Sequence, residues 1–453
     1  MGWGHNVRRQ MKIFTLTMTI YLDYKAVQRK VKWMSAEKKE KLWEFTHERN
    51  AKRLLKAIIE LEGLWVKLGQ YLSSRADVLP EAYINHLKQL QDSLPPRSLQ
   101  EVHNTIETEL GKLLKDLFKD FDNVPLATAS ISQVHRAQTL DGLDVVVKVQ
   151  HKGIKNIILQ DLKNARLIVD WIAWAEPQFN FGPVINEWCA EVPKELDFNL
   201  EAENTRRVSK NLSHGGKYGG DLPNGQMDVL VPEVIQSTEK VLVLQYMDGV
   251  RLSDVAALDD LGVDKQALVE AITRSYAHQI YVDGFFNGDP HPGNFLVSKK
   301  PPHQPILLDF GLTKDLSTTM KQGLAKMLLS AAEGDHAALL SAFAEMGLTL
   351  RLDMPEDAME ITNYFFRRAI PAKESVEDFK VHSKESEQRM KRLQERMKQE
   401  NSSKSKKTVH RNPVDAFPGD AIFFMRVLNL LRGTVFLFGI PDPFSLPGFF
   451  YRL

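Results

Sequence analysis

In the stretch GFFNGDPHPGNFLV, residues 284–297, Asp289 and Asn294 stand five positions apart in a loop stiffened by Pro290 and Pro292. Gly, Pro, Asn and Asp are also what turns prefer for local reasons, so this spacing alone carries no chemistry. A further oxygen-bearing side chain follows, however, where the strand-like run ILLDFG ends on Asp309. An amide oxygen and a carboxylate, Asn294 and Asp309, are hard ligands suited to Mg²⁺. Asp289 is then the type of group that orients or deprotonates an attacking hydroxyl or water. Upstream, Lys148 sits in the β-rich run VVVKVQ and offers a cation for a phosphate.

Lys148, Asp289, Asn294 and Asp309, in that order and in those local contexts, are the apparatus of protein-kinase-like phosphoryl transfer. A DFG triplet occurs by chance in many chains; the four together are specific. The run VLVLQYMDG (241–249) reads as the last strand of a small lobe entering a hinge, with Gln245 and Met247 as candidate nucleotide contacts. Two departures qualify the pattern. No G-x-G-x-x-G precedes the hairpin; PLATASISQVH takes its place, so Thr128, Ala129 and Ser130 bring side chains where glycine would allow close backbone approach. After Asp309 the chain enters a helical run within about ten residues, leaving no A-P-E segment and no evident platform for a peptide.

The elements that must position these groups are legible in outline. Ser35 to about Asp116 is helical in pattern, with Ile58, Leu61, Trp65, Leu68 and Leu72 on one stripe. ISQVHRAQTLDGLDVVVKVQ (131–150) is a hairpin about Asp141-Gly142. VLVPEVI, VLVLQYM, FLV and ILLDF read as further strands, and helices fill most of the rest. The expectation is an α+β, two-lobed fold with a small antiparallel sheet, a helical lobe and a helical N-terminal extension. The expected divisions are 1–34, 35–124, 125–250 (small lobe), 251–371 (large lobe), a charged Ser-rich linker 372–412, and a helical segment 413–453.

The 453 residues, 43% hydrophobic and 26% charged, suffice for such a body, and a net charge of +1 gives no reason to expect nucleic acid. The single cysteine, Cys189, excludes an internal disulfide framework. Residues 1–34 carry seven Lys/Arg against Asp23 alone around the apolar run IFTLTMTIYL. That pattern fits an organelle-targeting segment or a membrane-surface anchor, or else a helix docked on the body. A myristoylation signal is weakened by Asn6 where Ser or Thr belongs. AIFFMRVLNLLRGTVFLFGI (421–440) is interrupted by Arg426 and Arg432 and reads as a buried helix rather than a membrane span.

The departures form a pattern of their own. KLGQ (67–70), ATASISQVHRA, ELDFNLEAEN, NGDPHPGN and DFG together make the chain resemble the aarF-domain atypical kinases, the ubiquinone-biosynthesis kinase-like family. The likeness runs from about residue 36 to the early 300s and more weakly to about 440. Two positions of the alanine-rich loop differ, Thr128 standing for Ala and Ser132 for Gly. The resemblance implies that Lys67 and Gln70 lie on a helical extension covering the nucleotide cleft. It further implies that Glu195 and Asp197 face that extension and the phosphates, and that Glu201 pairs with Lys148. His291, between prolines, is expected to stabilise its loop.

The family implies ATP and Mg²⁺ as cofactors, and hydrolysis of ATP or phosphorylation of a small or lipid-like molecule rather than of protein. It implies a role in prenylquinone (coenzyme Q) synthesis or lipid homeostasis, with a lipid or prenylquinone intermediate and a membrane surface as partners. The mitochondrion is the expected location, with the plastid as the alternative. A true protein kinase, a nucleotide-binding scaffold without turnover, and a membrane-lipid carrier are the rival readings.

Overall fold

The structure is a computed structural model describing residues 3–73, 79–91, 96–176, 182–213, 228–333 and 335–347, with Phe424, Val427, Leu428, Leu431 and Phe438. The polar Gly-rich loop 214–227, the linker 372–412 and nearly all of 413–453 lie outside the described residues. Two compact units divide the chain, Met1–Leu200 with Ile235–Tyr246, and Glu201–Val234 with Met247–Leu453.

The first unit opens with helices α1 (Trp3–Lys30), α2 (Ala36–Leu61), α3 (Leu64–Ser73), α4 (Glu81–Leu87) and α5 (Leu99–Leu110). The apolar stripe from Ile58 to Leu72 crosses a corner, because Glu62 and Gly63 both take φ of 54° and end α2. Glycine accepts that conformation at little cost, whereas Glu62 needs support. Its N–H donates to the Ile58 carbonyl at 2.9 Å, its carbonyl accepts from Trp65 at 3.2 Å, and its carboxylate pairs with Arg97 at 2.5 Å. Ser98 caps α5, and Gly111, in the left-handed region, terminates it.

Strands β1 (Phe118–Phe121), β2 (Ala127–Thr128), β3 (Ser132–Thr139) and β4 (Asp144–Gln150) come next. After them run helices α6 (Ile154–Ala175) and α7 (Gly182–Glu191), the start of α8 (Phe198–Ser213), and strands β5 (Val234–Ser237) and β6 (Val241–Gln245). The sheet order is β1-β3-β4-β6-β5, with β2 against β3. The β3–β4 hairpin turns at Asp141-Gly142 as expected, Gly142 having φ of 88°. Period-two alternation on β4 buries Val145, Val147 and Val149 against Val102 and Ile106 of α5. Lys148 therefore projects from the other face.

Helix α1 is docked along one side. Ile13 and Val27 are buried, and the Arg9 guanidinium grips Asp161 of α6 through two hydrogen bonds of 2.8 and 2.5 Å. Its other side exposes Val7, Met11, Met18 and Leu22. No helix among the described residues is long and apolar enough to cross a membrane.

The second unit contains β7 (Gly249–Arg251), α9 (Val255–Asp260), α10 (Lys265–Ala277), β8 (Phe285–Asn287), β9 (Phe295–Ser298), β10 (Pro305–Leu307), β11 (Thr313–Asp315), α11 (Thr318–Glu333) and α12 (His336–Glu345). The expected strands FLV and ILLDF appear as β9 and β10, which pair antiparallel, β10 stopping at Leu307 before Asp309, and β7 joins β9. The pairing of β8 with β11 was beyond sequence reach, since three-residue strands have no measurable period. Tyr276, Phe286, Phe295 and Phe310 form the core, together with Phe424, Val427, Leu428 and Leu431, whose spacing is helical. The result is an α+β, kinase-like fold, with an antiparallel-sheet lobe and a mostly helical remainder.

Candidate functional site

In the helical unit the candidate residues gather around one buried side chain, Asn287, at the end of β8. Its amide oxygen accepts the Asp289 N–H at 2.8 Å, and its amide nitrogen donates to the Asp309 carbonyl at 2.7 Å. The Gln279 side chain in turn accepts the Asn287 backbone N–H at 3.1 Å. Asn287 is 3% exposed, so both amide groups are committed to holding the Asp289 and Asp309 segments side by side.

The loop then closes on itself. Asn294 Nδ2 donates to the Asp289 carbonyl at 3.0 Å, which turns Asn294 Oδ1 the other way. His291 Nδ1 accepts the Gly293 N–H at 3.1 Å, capping the short turn Pro292–Asn294. With Nδ1 accepting, Nε2 carries the proton, 3.9 Å from Asp289 Oδ2. His291 thus stabilises its loop. Asp309 Oδ1 accepts the Gly311 N–H at 2.8 Å. A Cβ on Gly311 would stand 3.2 Å from that oxygen and 3.6 Å from Glu201 Oε2, so Glu201, 5% exposed on α8, lies close beside the Asp309 turn. The fully buried Tyr276 hydroxyl is pushed well above its ordinary range by burial and by the charge on Asp289.

In the sheet unit, Lys148 pairs across the sheet with Val134 and Leu242, and its ammonium stands 5.3 Å from the Phe198 ring centroid. Lys67 on α3 is ion-paired with Glu195, half-buried. Close packing explains the glycine in KLGQ, since a Cβ at Gly69 would overlap the Leu90 side chain and press tightly on Ile58. The Gln70 backbone continues α3, and its side chain lies outside the described residues. Asp197 Oδ1 accepts the backbone N–H and the side-chain amide of Asn199 at 3.0 and 3.1 Å, ordering the first turn of α8.

The alanine-rich loop is a closed turn. Ala129 N–H donates to the Ser132 carbonyl at 2.8 Å, and Ser130 sits within the turn. His151 Nε2 holds the Ala129 carbonyl at 3.2 Å, while its backbone N–H donates to Ile131 at 2.8 Å. Gln245 closes β6 opposite Val145, and Met247 begins the next segment of the second unit. Sequence reasoning missed Asn287 and His151. Asn287 lay within the quoted motif, but nothing showed that its side chain spans two segments.

Among the described residues no cluster of three or more His, Cys, Asp or Glu is arranged to hold a metal ion. Mg²⁺ does not need one, because it binds through one or two protein oxygens and completes its shell with phosphate and water. Asn294 Oδ1 and the Asp309 carboxylate fit that donor set.

Residues 89–343 match the ABC1 atypical kinase-like domain. The protein ACTIVITY OF BC1 COMPLEX KINASE 8, chloroplastic, of Arabidopsis thaliana is 35% identical over 305 residues, 66% of this chain and 38% of the relative. AarF domain-containing protein kinase 1 of Mus musculus is 34% identical over 307 residues, 66% of this chain and 56% of the relative. The chain therefore spans roughly half the length of these curated relatives. A Mycobacterium tuberculosis protein, Rv3197, solved in complex with erythromycin, superposes with a TM-score of 0.55 at 24% identity, over 91% of this chain and 99% of that one. That likeness concerns the fold. With more than half of its length matched to the domain, and relatives of this kind across the same region, the chain belongs to the ABC1 atypical kinase-like family.

Proposed function

We propose that the protein binds ATP with Mg²⁺ and catalyses either its hydrolysis or phosphoryl transfer to a small or lipid-like hydroxyl compound, in support of prenylquinone or lipid metabolism. The observation that carries this reading is the Asn287 clamp, which fixes Asp289 beside the Asp309 segment. Asp289 accepts the proton of the attacking water or hydroxyl as its oxygen bonds the terminal phosphorus and the ADP oxygen departs. Asn294 and Asp309 would hold the metal, which when bound would neutralise charge on the phosphates. Lys148 supplies a second positive charge, and the Ala129–Ser130 turn shapes the phosphate side of the sheet lobe.

Two features argue against peptide substrates. Helix α11 begins at Thr318, soon after Asp309, so little chain remains to form a peptide platform. Lys67 and Glu195 pair helix α3 with the segment leading into α8. The names of several relatives include "protein kinase", so transfer to protein is the second reading. The exposed face of α1, with Val7, Met11, Met18 and Leu22 beside Arg8, suits an anionic membrane surface. An organelle, the mitochondrion or alternatively the plastid, is the location that prenylquinone chemistry suggests.

Phosphate release from ATP, with and without anionic liposomes, tests the proposal. Asp289→Asn is expected to lower turnover about 10²–10⁴-fold while nucleotide binding persists. Unchanged turnover overturns the role of Asp289, and transfer of labelled phosphate to another protein favours the protein-kinase reading.

A further inference from the structure

Helix α8 meets the Asp309 segment at three points, through residues three apart. Glu201 lies beside Gly311. Asn204 Nδ2 donates to the Phe310 carbonyl at 3.1 Å. Arg207 forks onto Asp315 at 3.2 and 2.6 Å, and its guanidinium lies 3.7 Å from the centroid of the Phe285 ring. Because Asp315 pairs with Phe285 across β11 and β8, Arg207 touches both strands of that ladder.

None of this polar set is needed to bury the helix. Ala202, Thr205, Val208 and Leu212 already supply the buried stripe. The Arg207–Asp315 pair is exposed, 45% and 66% by side chain, so it adds little stability. What it fixes is direction: a planar fork on a carboxylate and a face on an aromatic ring leave one orientation for the ladder. Asn204 acts in the same sense, since Phe310 is fully buried and its carbonyl needs a donor there.

We infer that Asn204 and Arg207 are positioning residues that fasten the segment 309–315 to helix α8, so that Asp309 and Glu201 move as one piece. The inference rests on the proposed role of Asp309 at the metal. Asn204 holds the turn immediately after Asp309, and Arg207 holds the strand pair that follows. Neither residue touches the reacting groups.

Hydrogen–deuterium exchange of the nucleotide-free protein tests the fastening without any reaction. Asn204→Asp keeps the side-chain shape and removes the N–H donor. It should raise exchange of the amides of residues 311–315 about tenfold, while those of β9 and β10 stay as in the parent. Arg207→Lys, which retains charge but not the fork or the stacking, should give a smaller rise in the same amides. Calorimetry with Mg²⁺ should then show that Asn204→Asp needs several-fold more Mg²⁺ for half-maximal ADP uptake. Exchange unchanged, or raised equally in β9 and β10, overturns the inference, as does an unaltered Mg²⁺ requirement in a variant whose 311–315 amides have loosened. A parent protein that takes up no nucleotide would defeat the proposed function instead, and the exchange pattern would still decide whether the fastening exists.

Discussion

The two units tie their candidate residues together in different ways. In the helical unit, five hydrogen bonds of 2.7–3.1 Å, each between a side chain and the backbone, tie Asn287, Asp289, Asn294, Asp309 and Gly311 together and cap His291 onto Gly293. The sheet unit has local bonds too, such as Ala129 to Ser132, but side-chain ties between distant helices recur there. Lys67 pairs with Glu195 across 128 positions and Arg9 with Asp161 across 152, while the Tyr21 hydroxyl donates to Glu176 across 155. A local, largely neutral frame forms once its own loop folds and is insensitive to salt. A frame of distant ion pairs requires the whole unit, and its exposed members are screened by salt.

The contrast sets the scale of four substitutions. The largest effect belongs to Asn287→Leu, which orphans the Asp289 N–H and the Asp309 carbonyl in a buried place. Each orphan costs about 1–3 kcal/mol, so urea unfolding should show a loss of about 2–6 kcal/mol. A loss within the noise of the extrapolation would mean that the local frame does not depend on its clamp. Arg9→Met comes next. It leaves Asp161, whose carboxyl burial already pushes upward, without its counter-ion, at about 3–5 kcal/mol. The double variant Arg9→Met/Asp161→Leu should recover most of that loss; no recovery would show that packing rather than charge holds α1.

Gly69→Ala sharpens the comparison further. Overlap with Leu90, with a tight contact on Ile58, costs about 1–3 kcal/mol, against about 1 kcal/mol gained in helix propensity, so a net destabilisation is expected. A variant more stable than the parent would show that α3 can shift. The smallest effect is in pH. Burial holds His135 and His151 below their ordinary value of 6.5, so both fold neutral, while the unfolded chain binds protons below about pH 6.5. Stability of the sheet unit should therefore fall as pH drops from 6.5 towards the depressed folded values, by at most about 1.4 kcal/mol per group for each pH unit. His135→Gln should flatten the slope in a urea series between pH 7.5 and 5.5, and a rise in stability on acidification would contradict it.

The same contrast explains what could be read from the chain. Asp289, Asn294 and Asp309 sit in one loop–strand context, so their spacing marked them as candidates, and the valine alternation on β4 indicated which face Lys148 leaves by. Lys67 and Glu195, alone, are an exposed helix residue and one of several acids; only the resemblance joined them. The Glu62–Gly63 corner hid inside an unbroken apolar stripe, because left-handed φ leaves no trace in hydrophobic spacing. Asn204 and Arg207 read as ordinary polar positions on a helix, since what they hold is a backbone carbonyl and a strand pair far along the chain.

The central claim concerns the oxygen-bearing groups of the Asn287 frame. Isothermal titration of ADP and a non-hydrolysable ATP analogue into the protein, with and without Mg²⁺, tests it most directly. The account predicts Mg²⁺-dependent uptake that Asp309→Asn abolishes or weakens at least tenfold, with unfolding by urea little changed. Uptake indifferent to both Mg²⁺ and Asp309, or no uptake at all, would contradict it.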